Sequence, residues 1–266
     1  MIESLPASRM TRRTLARIGM RLLLLQARWD PARMQGTGLS FALDPWLSVC
    51  WAAEPEGLRA ARLRHLDYFN THPIAAWLVV GIVCRHEAAA ASVQGAEREA
   101  LVSKIRAFKT GLGASLAGIY DSFFWGALRP ASALAGLLTA QLAYRWGLPH
   151  PLAAGAAAAL AVYNGPALAA RWLGLTRGLK GGERAITDLA RLPVKSWTQG
   201  LRWAAAGGAL LSFALGAAGL DGPERMAAVL TFAAGIVLSW RLVAPLAQLG
   251  LAGLAGMAAS VAGIWP

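Results

Sequence analysis

"SLAGIYDSFFWGALRP", residues 115–130, sets two charges inside an apolar run and poses the first structural question of the chain. It is apolar and aromatic, and Gly118 and Gly126 interrupt it, yet it keeps Asp121 and Arg129. An ionised carboxylate inside such a segment is costly unless it is paired or lies at a polar boundary. The surrounding chain sets the context. Its 266 residues are 56% hydrophobic and only 15% charged, with a mean hydropathy of +0.44. Soluble domains carry about 25% charged residues. This composition points to an integral membrane protein. One span needs about 20 residues, so the length suits one bundle of several spans.

The net charge is +12. Basic residues gather at the ends of apolar segments, which fits anionic lipid headgroups and a positive-inside bias. No nucleic-acid motif accompanies them, and nucleic acid is excluded as a partner. Cys50 and Cys84 lie in apolar context without metal spacing and read as reduced, buried thiols. No cleavable signal peptide is evident.

Outward from the opening stretch, the chain divides into three parts. Residues 1–33 form an amphipathic arm. Arg9, Arg13, Arg17 and Arg21 recur every four residues, opposite a stripe of Leu15, Ile18, Leu22, Leu25 and Trp29. The expectation is a helix lying in the membrane interface, arginines toward lipid phosphates. Its alternative is a helix packed on protein.

Residues 34–130 hold two interrupted apolar segments. The first, 34–52, contains Gly36, Gly38, Asp44 and Pro45, and the second spans 111–128. Both read as broken or re-entrant helices, tolerated where backbone lines protein rather than lipid. Paired broken segments point to transporter binding sites. Charged helices are expected over 54–67 and 96–109. A shorter apolar run at 73–84 spans a membrane only if 85–91 extend it.

Residues 131–266 read as transmembrane helices over 131–148, 152–170, 203–220, 226–244 and 246–265. The "LPHP" turn joins the first two, and a connector over 171–202 carries seven basic and two acidic side chains. Gly207, Gly208, Gly216 and Gly219 suit close helix approach, and Trp265 an interfacial belt. Charge bias places the N-terminus and the connector in the cytoplasm and "GLDGPER" outside. The expected fold is all-α and polytopic.

Three stretches carry a family resemblance: "WDPARMQGTG" (29–38), "RHLDYFNTHP" (64–73) and "FKTGLGASLAGIYDSFFWGALRP" (108–130). In words, order and spacing they resemble the IID membrane component of mannose/fructose/sorbose-family sugar phosphotransferase systems. The likeness is strong over residues 28–130 and elsewhere lies in the hydrophobic pattern. It implies a multi-pass subunit of the bacterial cytoplasmic (inner) membrane, paired with a IIC membrane subunit. The pair translocates a hexose while soluble IIA and IIB carry phosphoryl groups on histidines. It also implies an oligomer of IIC–IID pairs, a sugar site supplied mainly by IIC, and no phosphohistidine on IID. Some family pairs serve as receptors for bacteriocins or phage. Tyr120, Ser122 and Ala127 stand where the family usually has glycine, proline and threonine, and Ser115 replaces a proline. A diverged, non-transporting relative with a regulatory or anchoring role is the alternative.

The residues themselves name a candidate set for the substrate path or partner interface: Asn70, Thr71, His72, Glu87, Lys109, Asp121 and Arg129. Asn70 or Thr71 can cap the helix beginning near Pro73. His72 either sits in an extended pre-proline position or makes a polar contact at the sugar path. Glu87 ends an apolar run, either at a helix end or facing a partner's polar site. Asp121 pairs with Arg129 only if the chain bends, or with Lys109, or each pairs elsewhere. In the structural reading Asp121 and Arg129 are a cap and a helix-end base, and Pro130 starts the next span after a turn. His65 and His150 carry no signal. No Walker, H-E-x-x-H, G-x-S-x-G or paired-carboxylate pattern is present, so no cofactor, metal or independent catalysis is expected.

Overall fold

A computed structural model describes residues 10–218 and 222–241, with side chains described to residue 231. The described residues are helical, in the order α1 (Arg12–Leu22), α2 (Gly36–Cys50), α3 (Pro55–Leu66), α4 (Ala75–Ala91), α5 (Gly95–Tyr120), a π-helical segment (Asp121–Leu128), α6 (Arg129–Arg145), α7 (Pro151–Gly181), α8 (Arg184–Ala190), α9 (Val194–Ala217) and α10 (Gly222–Arg241). The all-α expectation holds for them. The expected span 246–265, Trp265, Gly219 and Arg9 lie outside the described residues.

The core forms around α4. Every residue of this helix except Arg85 and Ala91 is buried. A helix apolar on all sides must be covered on all sides. Here α1, α2, α5 and α7 cover it. Each fully buried Leu, Ile or Val contributes about 1.5–3 kcal/mol relative to exposure.

Thr11 caps α1 by accepting the Thr14 N–H (3.1 Å). Ile18, Leu22 and Leu25 of its apolar stripe are buried in the protein core. This corrects the expectation of an apolar face turned to lipid. The alternative prevails because Gly19 lets the helix settle on the Trp77 ring, 3.3 Å from where a Cβ would stand.

Segment 34–52 is not broken. It forms α2, with Pro45 inside. Proline removes the N–H that would bond the carbonyl four residues back. That carbonyl, Phe41 O, instead accepts from Arg21 Nη1 at 2.8 Å. The same guanidinium pairs with Asp44 (3.2 Å), and Arg62 pairs with Asp44 from the other side (2.7 Å). Two bases from neighbouring helices thus offset both irregularities.

The opening stretch is also continuous. Helical backbone runs from Gly95 to Arg145, widening to π geometry at Asp121–Leu128. The Arg129 N–H reaches back five residues to Phe124 O. Pro130 lacks an N–H, and its ring would crowd the Gly126 carbonyl in a regular α-helix, so the wider turn accommodates it. The expected reversal at Arg129–Pro130 is therefore corrected to a widening without a turn.

After α6 the expected turn occurs. Gly147 and His150 adopt positive φ (64° and 56°), and Pro151 opens α7. Helix α7 continues to Gly181, well past the expected boundary at 170, so the polar connector narrows to the region around α8. Among the described residues, α7 is the helix long and apolar enough to cross a membrane. The tight helix crossings are not at the predicted glycines. A Cβ on Gly81 would overlap the Leu175 carbonyl, and one on Gly178 would lie 2.6 Å from Leu78 O. Gly136 and Gly155 make a second backbone-close crossing between α6 and α7. Gly207 has open space around it, and Gly208 and Gly216 make only ordinary contacts.

Candidate functional site

The three sequence boxes come together at one end of α4. Asp30 Oδ1 accepts the N–H groups of Ala32 (3.0 Å) and Arg33 (2.8 Å), which folds 29–38 into a turn. Met34, at φ 52°, then bridges to Phe69, and Gln35 N–H donates to Phe69 O (2.8 Å). The Gln35 side chain grips Thr71 twice, donating to its carbonyl (2.7 Å) and accepting its N–H (3.0 Å). Thr71 Oγ1 donates to the Gly113 carbonyl in the third box (2.7 Å). Gly113 keeps this approach tight, since a Cβ would stand 3.0 Å from the Asn70 carbonyl, closer than ordinary contact.

These contacts correct the capping expectation. Helix α4 has no side-chain cap from Asn70 or Thr71. Asn70 is exposed, and Thr71 is spent on Gly113. His72 does the local work: its Nδ1 accepts the Ile74 N–H at 3.1 Å.

Glu87 is enclosed by its own chain. Arg64 donates Nε to Oε1 (2.7 Å) and Nη2 to Oε2 (2.9 Å), a bidentate pair. His65 Nε2 lies 2.9 Å from Oε1, and Trp51 Nε1 donates to Oε2 at 3.0 Å. Burial alone would raise the Glu87 pKa, but the bonds from Arg64 and His65 prevail and hold it down at about 2. Burial lowers the His65 pKa, so a neutral His65 donates Nε2–H to an ionised Glu87. Lys109 Nζ reaches the Arg64 carbonyl at 2.5 Å, tying α5 to the same cluster. The reading of Glu87 as facing a partner is thereby corrected. Its four donors fill its lone pairs. Sequence reasoning missed Trp51, Arg64, His65 and Gln35, although Arg64 and His65 open the second box. The available signal was that a buried acid needs a buried base.

The π segment presents the other candidates. His72 lies among Tyr120, Phe124 and Trp125, with ring centroids 5.9, 5.6 and 5.2 Å away. Burial, with a smaller contribution from Arg171 of α7, lowers its pKa to about 4. Asp121 is half-buried and Arg129 exposed, and among the described residues neither forms an ion pair with the other or with Lys109. Ser122 Oγ accepts from Arg202 of α9 (3.2 Å). Tyr120 is buried, and its ring is stacked on Phe124.

Comparison with known proteins gives this geometry its family. The family model described as PTS system mannose/fructose/sorbose family IID component matches residues 9–206. The chain belongs to this IID family. It is 30% identical over 192 residues to the mannose-specific EIID component of Escherichia coli K12, covering 72% of this chain and 64% of that one. It is 28% identical to the sorbose-specific EIID component of Klebsiella pneumoniae, and 27% identical to the fructose permease IID component of Bacillus subtilis. The chain thus spans just under two thirds of the length of these relatives. A chain in the cryo-EM structure of the mannose transporter ManYZ with Microcin E492 shares the fold. Its TM-score is 0.57 at 23% identity, over 96% of this chain and 98% of that one. A second solved membrane protein gives a TM-score of 0.64 at 22% identity, over the same shares.

Proposed function

We propose that this IID-family chain is the membrane subunit of a mannose-type phosphotransferase permease, forming the hexose translocation unit with a IIC subunit. The observation that carries the reading is the convergence of the three boxes. Gln35, Thr71, Gly113 and Lys109 lock them together, and the π segment is left at the edge of this rigid block. π-Helical turns within α-helices recur at functional sites. Asp121 and Arg129, which form no ion pair among the described residues, suit a surface completed by a second chain. The long, outward-facing apolar α7 suits lipid or another membrane helix.

In this reading the protein is multi-pass in the bacterial inner membrane, with α9 and α10 joining α7 as spans and anionic lipids against the exposed arginines of α1. Phosphoryl transfer belongs to soluble IIA and IIB. His65 and His72 are enclosed, which suits a subunit that takes no phosphoryl group itself. IIC–IID pairs assemble further into oligomers. The test is co-expression with the IIC chain of the same system. Co-purification with IIC and uptake of labelled mannose, fructose or sorbose are expected. A monodisperse protein that never captures IIC sinks the pairing.

One observation favours a second reading. Tyr120 fills space beside His72 where the family usually has glycine, which suits a non-transporting relative with an anchoring or regulatory role. IIC capture without uptake would select it. Recovery of uptake in Tyr120→Gly would then identify the obstruction.

A further inference from the structure

His72 is committed on one side only. Its Nδ1 is occupied by the Ile74 N–H, which fixes the proton on Nε2. That Nε2–H is buried and has no hydrogen-bond partner among the described residues, while the residue as a whole is 3% exposed. A buried donor left unpaired is disfavoured by about 1–3 kcal/mol, and its persistence asks for an explanation.

The groups around it are equally specific. Tyr120 and Phe124 back the imidazole, and Trp125 stands edge-on to it at 61°. Trp125 is 52% exposed, so one face of the assembly opens outward. Arg171 of α7 lies close enough to act electrostatically on His72, and it forms no ion pair among the described residues. The end of α5 and the π turn bring Tyr120, Phe124 and Trp125 to the imidazole together. The result is an aromatic rim over unspent N–H donors.

We propose that this box is a hexose-contacting subsite contributed by this chain, with the His72 Nε2–H donating to a sugar hydroxyl oxygen. The inference rests on the permease reading above. Trp125 supplies an apolar platform for a pyranose face and covers Nε2 until the sugar arrives. A few placed donors on an aromatic wall are what a small polyhydroxylated ligand requires.

The test separates the two nitrogens of His72. His72→Asn keeps an oxygen near the Nδ1 position to accept the Ile74 N–H and removes the distal donor. His72→Gln keeps a distal N–H and weakens the cap. Each is co-expressed with IIC, and assembly, thermal stability and the concentration dependence of [14C]mannose uptake are measured. The expected result is at least a tenfold rise in the half-saturating mannose concentration for His72→Asn, with assembly retained and largely restored affinity in His72→Gln. Trp125→Ala raises it similarly. Unchanged affinity in His72→Asn overturns the subsite. Loss of IIC capture with unchanged sugar affinity in the residual complex also overturns it, by assigning the donor to a carbonyl of the partner chain. If the wild-type pair assembles but takes up no mannose, fructose or sorbose, the permease reading fails and the subsite falls with it, an outcome distinct from a failure confined to His72.

Discussion

The two halves of the described chain solve the problem of an apolar sequence in opposite ways. From α1 to α5, charge and irregularity are settled internally: Asp44 by Arg21 and Arg62, Glu87 by Arg64 and His65, the open carbonyl before Pro45 by Arg21. From α7 to α9, little is settled internally. Leu160, Leu168, Trp172, Trp203 and Leu211 stand exposed, and of α9 only Thr198 and Ser212 are buried. The first half folds around itself. Among the described residues, the second half presents an apolar surface that they do not cover.

The largest blow to this contrast should come at Glu87. Glu87→Gln leaves Arg64 buried without its counter-ion, and a Gln amide cannot accept from Trp51, Arg64 and His65 at once. The expected loss is about 3–5 kcal/mol, read by thermal unfolding of the detergent-solubilised protein. A loss under about 1 kcal/mol would mean that the first half does not depend on its ionic cluster. Next comes the seam between α4 and α7, where the halves meet. Gly178→Val must push α7 away from the Leu78 carbonyl, and about 1–3 kcal/mol is expected from overpacking. The same change at Gly207, which has open space, should cost little beyond helix propensity.

Acid should unfold the first half in two stages. His72 has its folded pKa depressed to about 4 from 6.5, so the unfolded chain binds the proton more readily. Stability present above about pH 6.5 is then lost as pH falls toward 4. Glu87, depressed to about 2 from 4.5, adds a second loss between those values. Arg171 and the rings of Tyr120, Phe124 and Trp125 face His72, and none of them titrates in this range. His65 and His86, whose pKa values burial also lowers, share the upper stage, so His72→Asn should flatten only part of it and leave the lower one. An unchanged slope from pH 6.5 to 4 in that variant would place the acid sensitivity elsewhere.

These sites show what could be read in advance. The three boxes were legible as words, and they carry the contacts that assemble the site. Helix type, the turn before Pro151 and the charged α3 and α5 followed from periodicity and proline placement. The role of α1 was not legible, because an apolar stripe looks the same whether lipid or Trp77 covers it. The π segment was not legible either. Glycines beside a proline fit a break and a widening equally, and only the path of α6 distinguishes them. Glu87 was legible only as the end of an apolar run, because its bases lie more than twenty residues upstream and pairing at that distance is set by tertiary packing.

The smallest effect tests the outward-facing half directly. Leu175 and Leu168 both belong to α7, two helical turns apart. Leu175 is fully buried against the core around α4, whereas Leu168 is 56% exposed. Leu175→Ala should cost about 2–5 kcal/mol, because it removes buried area and leaves a cavity. Leu168→Ala should lie within about 0.5 kcal/mol in detergent, since among the described residues it stands exposed. The pair becomes informative when IIC is present. If Leu168 faces lipid, its truncation stays silent in the complex as well. If it faces IIC, the same truncation weakens co-purification while leaving the isolated chain as stable as before. A large loss at Leu168 in the isolated chain would contradict the division between the halves, because it would require this surface to be packed internally.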